Sequence, residues 1–183
     1  MNKIQKYLGM RTPQNDSPAK DHKENYPYSQ ALEVLSSKAL IDKDPLARKH
    51  ALFMLSMTND PHFTDIFINS LHDPEKAVRS QAVQALVQIG TPVFEKVVIL
   101  LTDSDWKVRY RAAEILGMMK NRDAVKPMTQ ALTDEKDHVR YMAAKGLWLI
   151  KDPEALAPLR NSLNDKNPYV RTMVKRAIAA IDE

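Results

Sequence analysis

The chain of 183 residues contains no cysteine. Disulfide bridges, thiolate nucleophiles and cysteine-based zinc sites are thereby excluded. Glycine is nearly as scarce, with four residues, so there is little from which to build a phosphate-cradling loop, and neither a P-loop nor a dinucleotide fingerprint occurs. There is no Gly-x-Ser-x-Gly, and no serine can be placed beside a histidine, so nucleophilic catalysis has no support. No uncharged apolar run is long enough for a transmembrane helix, and the opening MNKIQKYLGMRTPQ lacks the apolar stretch of a secretory signal. A cytoplasmic protein without a membrane partner is the expectation. Charge of one sign is also in short supply. Net charge is +4, with five cations against three anions in residues 1–30 and six against four in 102–132. So mild an asymmetry does not demand a polyanionic partner.

What the chain does have is repetition. The stretch DSDWKVRYRAAEILGMMKNRDAVKPMTQAL, Asp103 to Leu132, recurs along it. Arg109 has equivalents at Arg48, Arg79, Arg140 and Arg171, spaced 31, 30, 31 and 31 residues apart. Six residues before each stands Asp42, Asp73, Asp103, Asp134 or Asp165, and eight before stands Leu40, Leu71, Leu101, Leu132 or Leu163. Three after come Ala51, Ala82, Ala112, Ala143 and Val174; seven after come Leu55, Leu86, Leu116, Leu147 and Ile178. A fixed period in this range is the signature of a stacked-repeat architecture. Ala112, Leu116 and Met119 fall on one helical stripe, and Val125, Met128 and Leu132 fall on another. Each unit is thus two short amphipathic helices that bury their apolar faces only by stacking on neighbours. The small residue at Ala112 permits close helix approach. Each recurrent Asp lies just before a first helix, where a carboxylate is favoured. The Asp–Arg pairs form an expected ladder of charge-assisted hydrogen bonds, Asp42/Arg48, Asp73/Arg79, Asp103/Arg109, Asp134/Arg140 and Asp165/Arg171. Presence in every copy points to structure, not catalysis.

The wording Leu-x-Asp-x4-Val-Arg-x2-Ala-x3-Leu, here Leu132, Asp134, Val139, Arg140, Ala143 and Leu147, resembles HEAT repeats of the short, phycobilisome-lyase-like class. The resemblance covers residues 29–183. It implies an all-α fold, a right-handed α-α superhelix of about five repeats of roughly 31 residues. The boundaries expected are a half repeat at 29–41, repeats at 42–72, 73–102, 103–133 and 134–164, and a terminal capping helix at 165–183. Lys175 stands where earlier copies carry Leu52, Val83, Ala113 and Ala144, a charge suited to a closing repeat, so the array is expected to end there. Ahead of it, residues 1–28 are polar and proline-interrupted and read as a flexible tail, with one amphipathic turn at Ile4, Tyr7 and Leu8.

Punctuation predicts the helix ends. First helices are expected near 45–57, 76–89, 105–119, 137–150 and 168–181, and second helices near 61–71, 92–101, 122–132 and 153–163. Ser29 is a candidate N-cap. Asp44-Pro45, Asp60-Pro61, Thr91-Pro92, Asp152-Pro153 and Asn167-Pro168 place a capping residue before a proline, and Gly90 sits at a helix end. Pro127 and Pro158 should make their second helices bend or begin late.

Three functional readings follow. HEAT-like deoxyhypusine hydroxylase holds iron with His-Glu dipeptides, and none occurs here; His22, His50, His62, His72 and His138 form no i, i+4 pair, so no metal or other cofactor is expected. The phycobilin lyases share the repeat wording, but no catalytic residue maps from them, so a lyase-type enzyme or accessory role is an alternative only. A second alternative is nucleic-acid binding by a basic-aromatic ridge of Trp106, Lys107, Tyr110, Arg111, Tyr141 and Lys145. The main reading is a non-catalytic scaffold for a partner protein, with a monomer compatible. Resemblance to HEAT solenoids places the contact on the second helices, whose outward positions are His62, Asp65 and Asn69; Pro92, Glu95 and Ile99; Asp123, Lys126 and Gln130; Glu154, Ala157 and Asn161. Anchors are expected at Glu95, Ile99 and Lys126, with Gln130 and Asn161 beside them. Phe53 and Ile66 replace polar or proline residues of later copies, which predicts an apolar patch for the tail or a partner to cover.

Overall fold

The computed structural model describes residues 26–182, and they are helical with no strand among them. The expected tail, apart from its last three residues, and the turn at Ile4, Tyr7 and Leu8 lie outside the described residues. The chain divides into two compact units, one ending at Ala85 and the other beginning at Leu86.

The first unit contains α1 (Tyr26–Ile41), α2 (Pro45–Ser56), a 3-10 turn (Pro61–Phe63) leading into α3 (Thr64–Ser70), and the larger part of α4 (Lys76–Ile89). Helix α1 begins at Tyr26, so Ser29 lies inside its first turn and is not the N-cap expected of it. Asp44 does cap α2, accepting from the Leu46 N–H at 2.9 Å with Pro45 in the first turn, where a missing N–H costs nothing. Asp60 does the same for the turn into α3. Leu52, Leu55, Phe67 and Leu71 are fully buried, and α1 packs on both α2 and α3. That packing corrects one expectation. Phe53 is 47% exposed as foreseen, but Ile66 is only 4% exposed, because it lies on the helix that α1 covers.

The second unit contains the end of α4, then α5 (Phe94–Ile99), α6 (Trp106–Met119), α7 (Val125–Ala131), α8 (Asp137–Ile150), α9 (Leu156–Asn161) and α10 (Pro168–Asp182). Helix α8 packs against α6, α7 and α10; α5 packs on α6, and α9 on α10. Ile115, Leu116, Met128, Leu147, Leu159 and Val174 fill the core. Helices α6 and α8 approach closely at Gly117 and Gly146. A Cβ on Gly117 would lie 2.6 Å from the Gly146 Cα, nearer than real Cβ atoms come.

Each second helix opens with a 3-10 turn, at Pro61–Phe63, Thr91–Val93, Arg122–Ala124 and Pro153–Ala155. Pro127 and Pro158 are third residues of α7 and α9, which do begin late, so their missing N–H groups fall where no intrahelical partner exists. The prolines are compatible with this start and are not its cause, since α3 and α5 begin the same way without one. Thr91 is not a cap: it lies within its turn, Gly90 occupies the capping position at φ 72°, and no side chain accepts there. Lys120 and Lys151, at φ 53° and 57°, end α6 and α8 in the left-handed conformation that glycine usually supplies.

Candidate interaction surfaces

The Asp–Arg ladder exists, in a different register from the expected one. Arg48 does not bond the carboxylate six residues before it. Its Nε and Nη2 reach Asp73, one copy onward, at 2.6 and 2.8 Å. Arg109 holds Asp134 at 2.7 and 3.0 Å, and Arg140 holds Asp165 at 2.6 and 2.9 Å. These bidentate pairs are nearly buried. Each Arg spends Nη1 on the carbonyl of its own Asp: Asp42, Asp103 and Asp134 for these three, and Asp73 and Asp165 for Arg79 and Arg171. The Asp is likewise not the helix cap. It accepts from the N–H two residues on, as Asp103 does from Asp105, and that next residue caps the helix where it can, as Asp44, Asp105 and Asn167 do. Arg48, Arg109 and Arg140 thus each tie their own connection to the connection of the next copy.

Electrostatics follow from this geometry. Burial pushes the Asp73 and Asp134 carboxyls up, but the hydrogen bonds from Arg48 and Arg109, the backbone N–H groups and the flanking guanidinium charges outweigh it, holding both below the usual carboxylate range. Arg140 is the main cause of the same lowering at Asp165. Arg48, Arg109 and Arg140 are raised in turn, chiefly by their carboxylate partners.

Two faces carry the sequence-predicted site residues. On the second helices all twelve outward positions are exposed. His62, Asp65 and Asn69 belong to the first unit and the other nine to the second. Ile99 is the most apolar of them and is 68% exposed. Glu95, Lys126, Gln130 and Asn161 are also exposed, and neither Glu95 nor Lys126 has an ion-pair partner among the described residues.

The other face lies on first helices α6, α8 and α10, wholly within the second unit. Tyr110 and Tyr141 line one cleft of about 460 Å³ together with Asp137, His138, Asn167 and Tyr169. Tyr141 is shared with a second cleft of about 470 Å³, lined also by Lys145, Trp148 and Arg176. Trp106 sits against His138, ring centroids 5.2 Å apart. Arg111 is not a free cation: it bonds Glu114 at 2.6 Å and lies over the Tyr110 ring. Burial and the Glu114 charge push the Tyr110 hydroxyl up. Lys107 is exposed. His138, Trp148, Tyr169 and Arg176 were missed in the sequence. Aligning the copies marks three of them: His138 and Tyr169 occupy the Lys107 position, and Arg176 the Lys145 position, whereas Trp148 stands at the Gly117 position and carries no such mark. Among the described residues, no three His, Asp or Glu side chains gather as a metal site, and no single helix is long and apolar enough to cross a membrane.

Paired short helices, joined from copy to copy by Arg–Asp bridges, define a helical-repeat protein of the armadillo-like class. The HEAT-repeat family profile matches residues 32–98 and 94–179, so the chain belongs to the HEAT-repeat family. It is similar in fold to the CpcE–CpcF complex of phycocyanin lyase from Nostoc sp. PCC7120, with TM-score 0.63 and 18% identity over 81% of this chain and 98% of that one. Human deoxyhypusine hydroxylase in complex with glycerol gives TM-score 0.52 and 18% identity, over 84% of this chain and 74% of that one. A designed armadillo repeat protein in complex with the peptide (KR)4 gives 0.51 and 17%, over 87% and 84%. At these identities the likeness is one of fold. Comparison with curated protein sequences gives no match.

Proposed function

We propose that the protein is a non-catalytic scaffold that binds a partner protein through the outward side chains of its second helices. The observation that carries this reading is the exposure of Ile99 between uncompensated polar neighbours: an apolar side chain 68% open to solvent, with Glu95 one turn before it on the same helix and Lys126 on the next second helix. An exposed apolar anchor with a polar rim is the arrangement in which a few residues supply most of the binding energy. The two second helices are held by packing, α5 on α6 and α7 on α8, so little ordering cost accompanies binding. The nucleic-acid alternative is weakened by the commitment of Arg111 to Glu114 and by Asp137 in the aromatic cleft.

The test is affinity capture from nuclease-treated native lysate, with wild-type protein beside Ile99→Asp. Recovery of defined proteins by the wild type, reduced about tenfold or more by the substitution, is the expected result. Capture of proteins only when nuclease treatment is omitted, or of the same proteins by both forms, would count against the reading.

A further inference from the structure

The aromatic face of α6, α8 and α10 lies apart from the second-helix positions, and its two clefts differ in charge. The first is edged by Tyr110, Tyr141 and Tyr169, and its one anion, Asp137, is hydrogen-bonded by Asn167 and His138. The Asn167 bond, opposed by slight burial, holds the Asp137 carboxyl low, so it is ionised at neutral pH. The second cleft carries Lys145 and Arg176 beside Tyr141 and Trp148, with no acidic residue in its lining. Neither cation has an ion-pair partner among the described residues. Tyr169 is 75% exposed at the rim.

We infer that this face is a docking groove for an acidic peptide segment of a partner protein, with an aromatic side chain of the peptide in the Tyr110–Tyr141–Tyr169 cleft and its carboxylates on Lys145 and Arg176. Charge complementarity selects this occupant. Two unpaired cations confined to one cleft match one or two carboxylates. A nucleic-acid strand following the ridge would bring its phosphates past ionised Asp137, and Arg111, the cation over the Tyr110 ring, is already bound to Glu114. Tyrosine and tryptophan rings offer large, rigid contact area at low entropic cost, so a short peptide can gain affinity there. Both positions sit on long helices held by the α6–α8 and α8–α10 packing, which makes the groove preformed.

The experiment is fluorescence anisotropy with the whole protein and three probes: a fluorescein-labelled Glu-Asp-Phe-Asp-Glu peptide, its Gln-Asn-Phe-Asn-Gln counterpart, and a labelled oligothymidylate. The acidic peptide should bind about tenfold more tightly than the amide peptide, and Lys145→Glu should abolish that preference. Lys151→Glu, an equal change of net charge at an exposed position outside both clefts and off the second helices, should leave it unchanged. Tyr141→Ala should weaken both peptides, with circular dichroism confirming that the variant folds. Equal affinity for the two peptides, indifference to Lys145→Glu, no peptide binding, or tighter and steeply salt-dependent binding of the oligothymidylate would overturn the inference. Because Lys126 and Ile99 are on the other helices, this groove and the scaffold surface stand or fall separately.

Discussion

At the scale of single residues, the recurrent Arg and Asp are the most legible feature of the sequence, yet their pairing is not. Period and offset identify ten residues, but spacing alone favours the partner six positions away. The structure shows why that partner loses. The local backbone carbonyl, as at Asp103 and Asp134, takes Nη1, leaving Nε and Nη2 to chelate a carboxylate 25 residues onward. The bridge is therefore tertiary, and its loss should act on stability. Asp134→Asn, which keeps the shape and removes the charge, should destabilise the protein by about 3 kcal/mol at neutral pH in denaturant unfolding. The sign with pH is fixed by the lowered carboxyls of Asp73, Asp134 and Asp165. Their contribution is complete above the unfolded carboxyl value near 4 and is lost as pH falls through the lower folded values. The deficit of Asp134→Asn should hence shrink on acidification below about pH 4. A deficit that stayed constant to low pH would show that the charge pair is not its source.

At the scale of elements, helix positions follow from apolar periodicity and Pro punctuation, because both are local. The first helices fall within a residue or so of expectation. What escaped was set by packing or by unmarked backbone. Lys120 and Lys151 end their helices at positive φ with no glycine to signal it. Ile66 looked exposed by comparison between copies, and is covered because α1 supplies the missing neighbour. Gly117 and Gly146 read as weak helix residues until α6 and α8 meet at them. A methyl group at Gly117 strikes backbone, which cannot turn aside, so Gly117→Ala should cost about 1–3 kcal/mol despite its better helix propensity. Thermal unfolding of that variant is the check. An unchanged or raised Tm would mean that the helices separate freely at this crossing.

At the scale of the whole molecule, the family and the helix-pair architecture were legible because repetition multiplies a weak local signal. The candidate sites were legible only in outline. The outward second-helix positions follow from helical geometry and are exposed, whereas the aromatic clefts bring together residues of three helices and exist only once those helices pack. A repeat protein can act through any face, so the face must be measured. The most direct measurement places a photoreactive residue at position 99, and separately at position 151 as an exposed control, and maps crosslinks in nuclease-treated native lysate. The scaffold reading predicts a discrete protein adduct from position 99 and none from position 151. No protein adduct at position 99, or adducts of equal pattern at both, would contradict it.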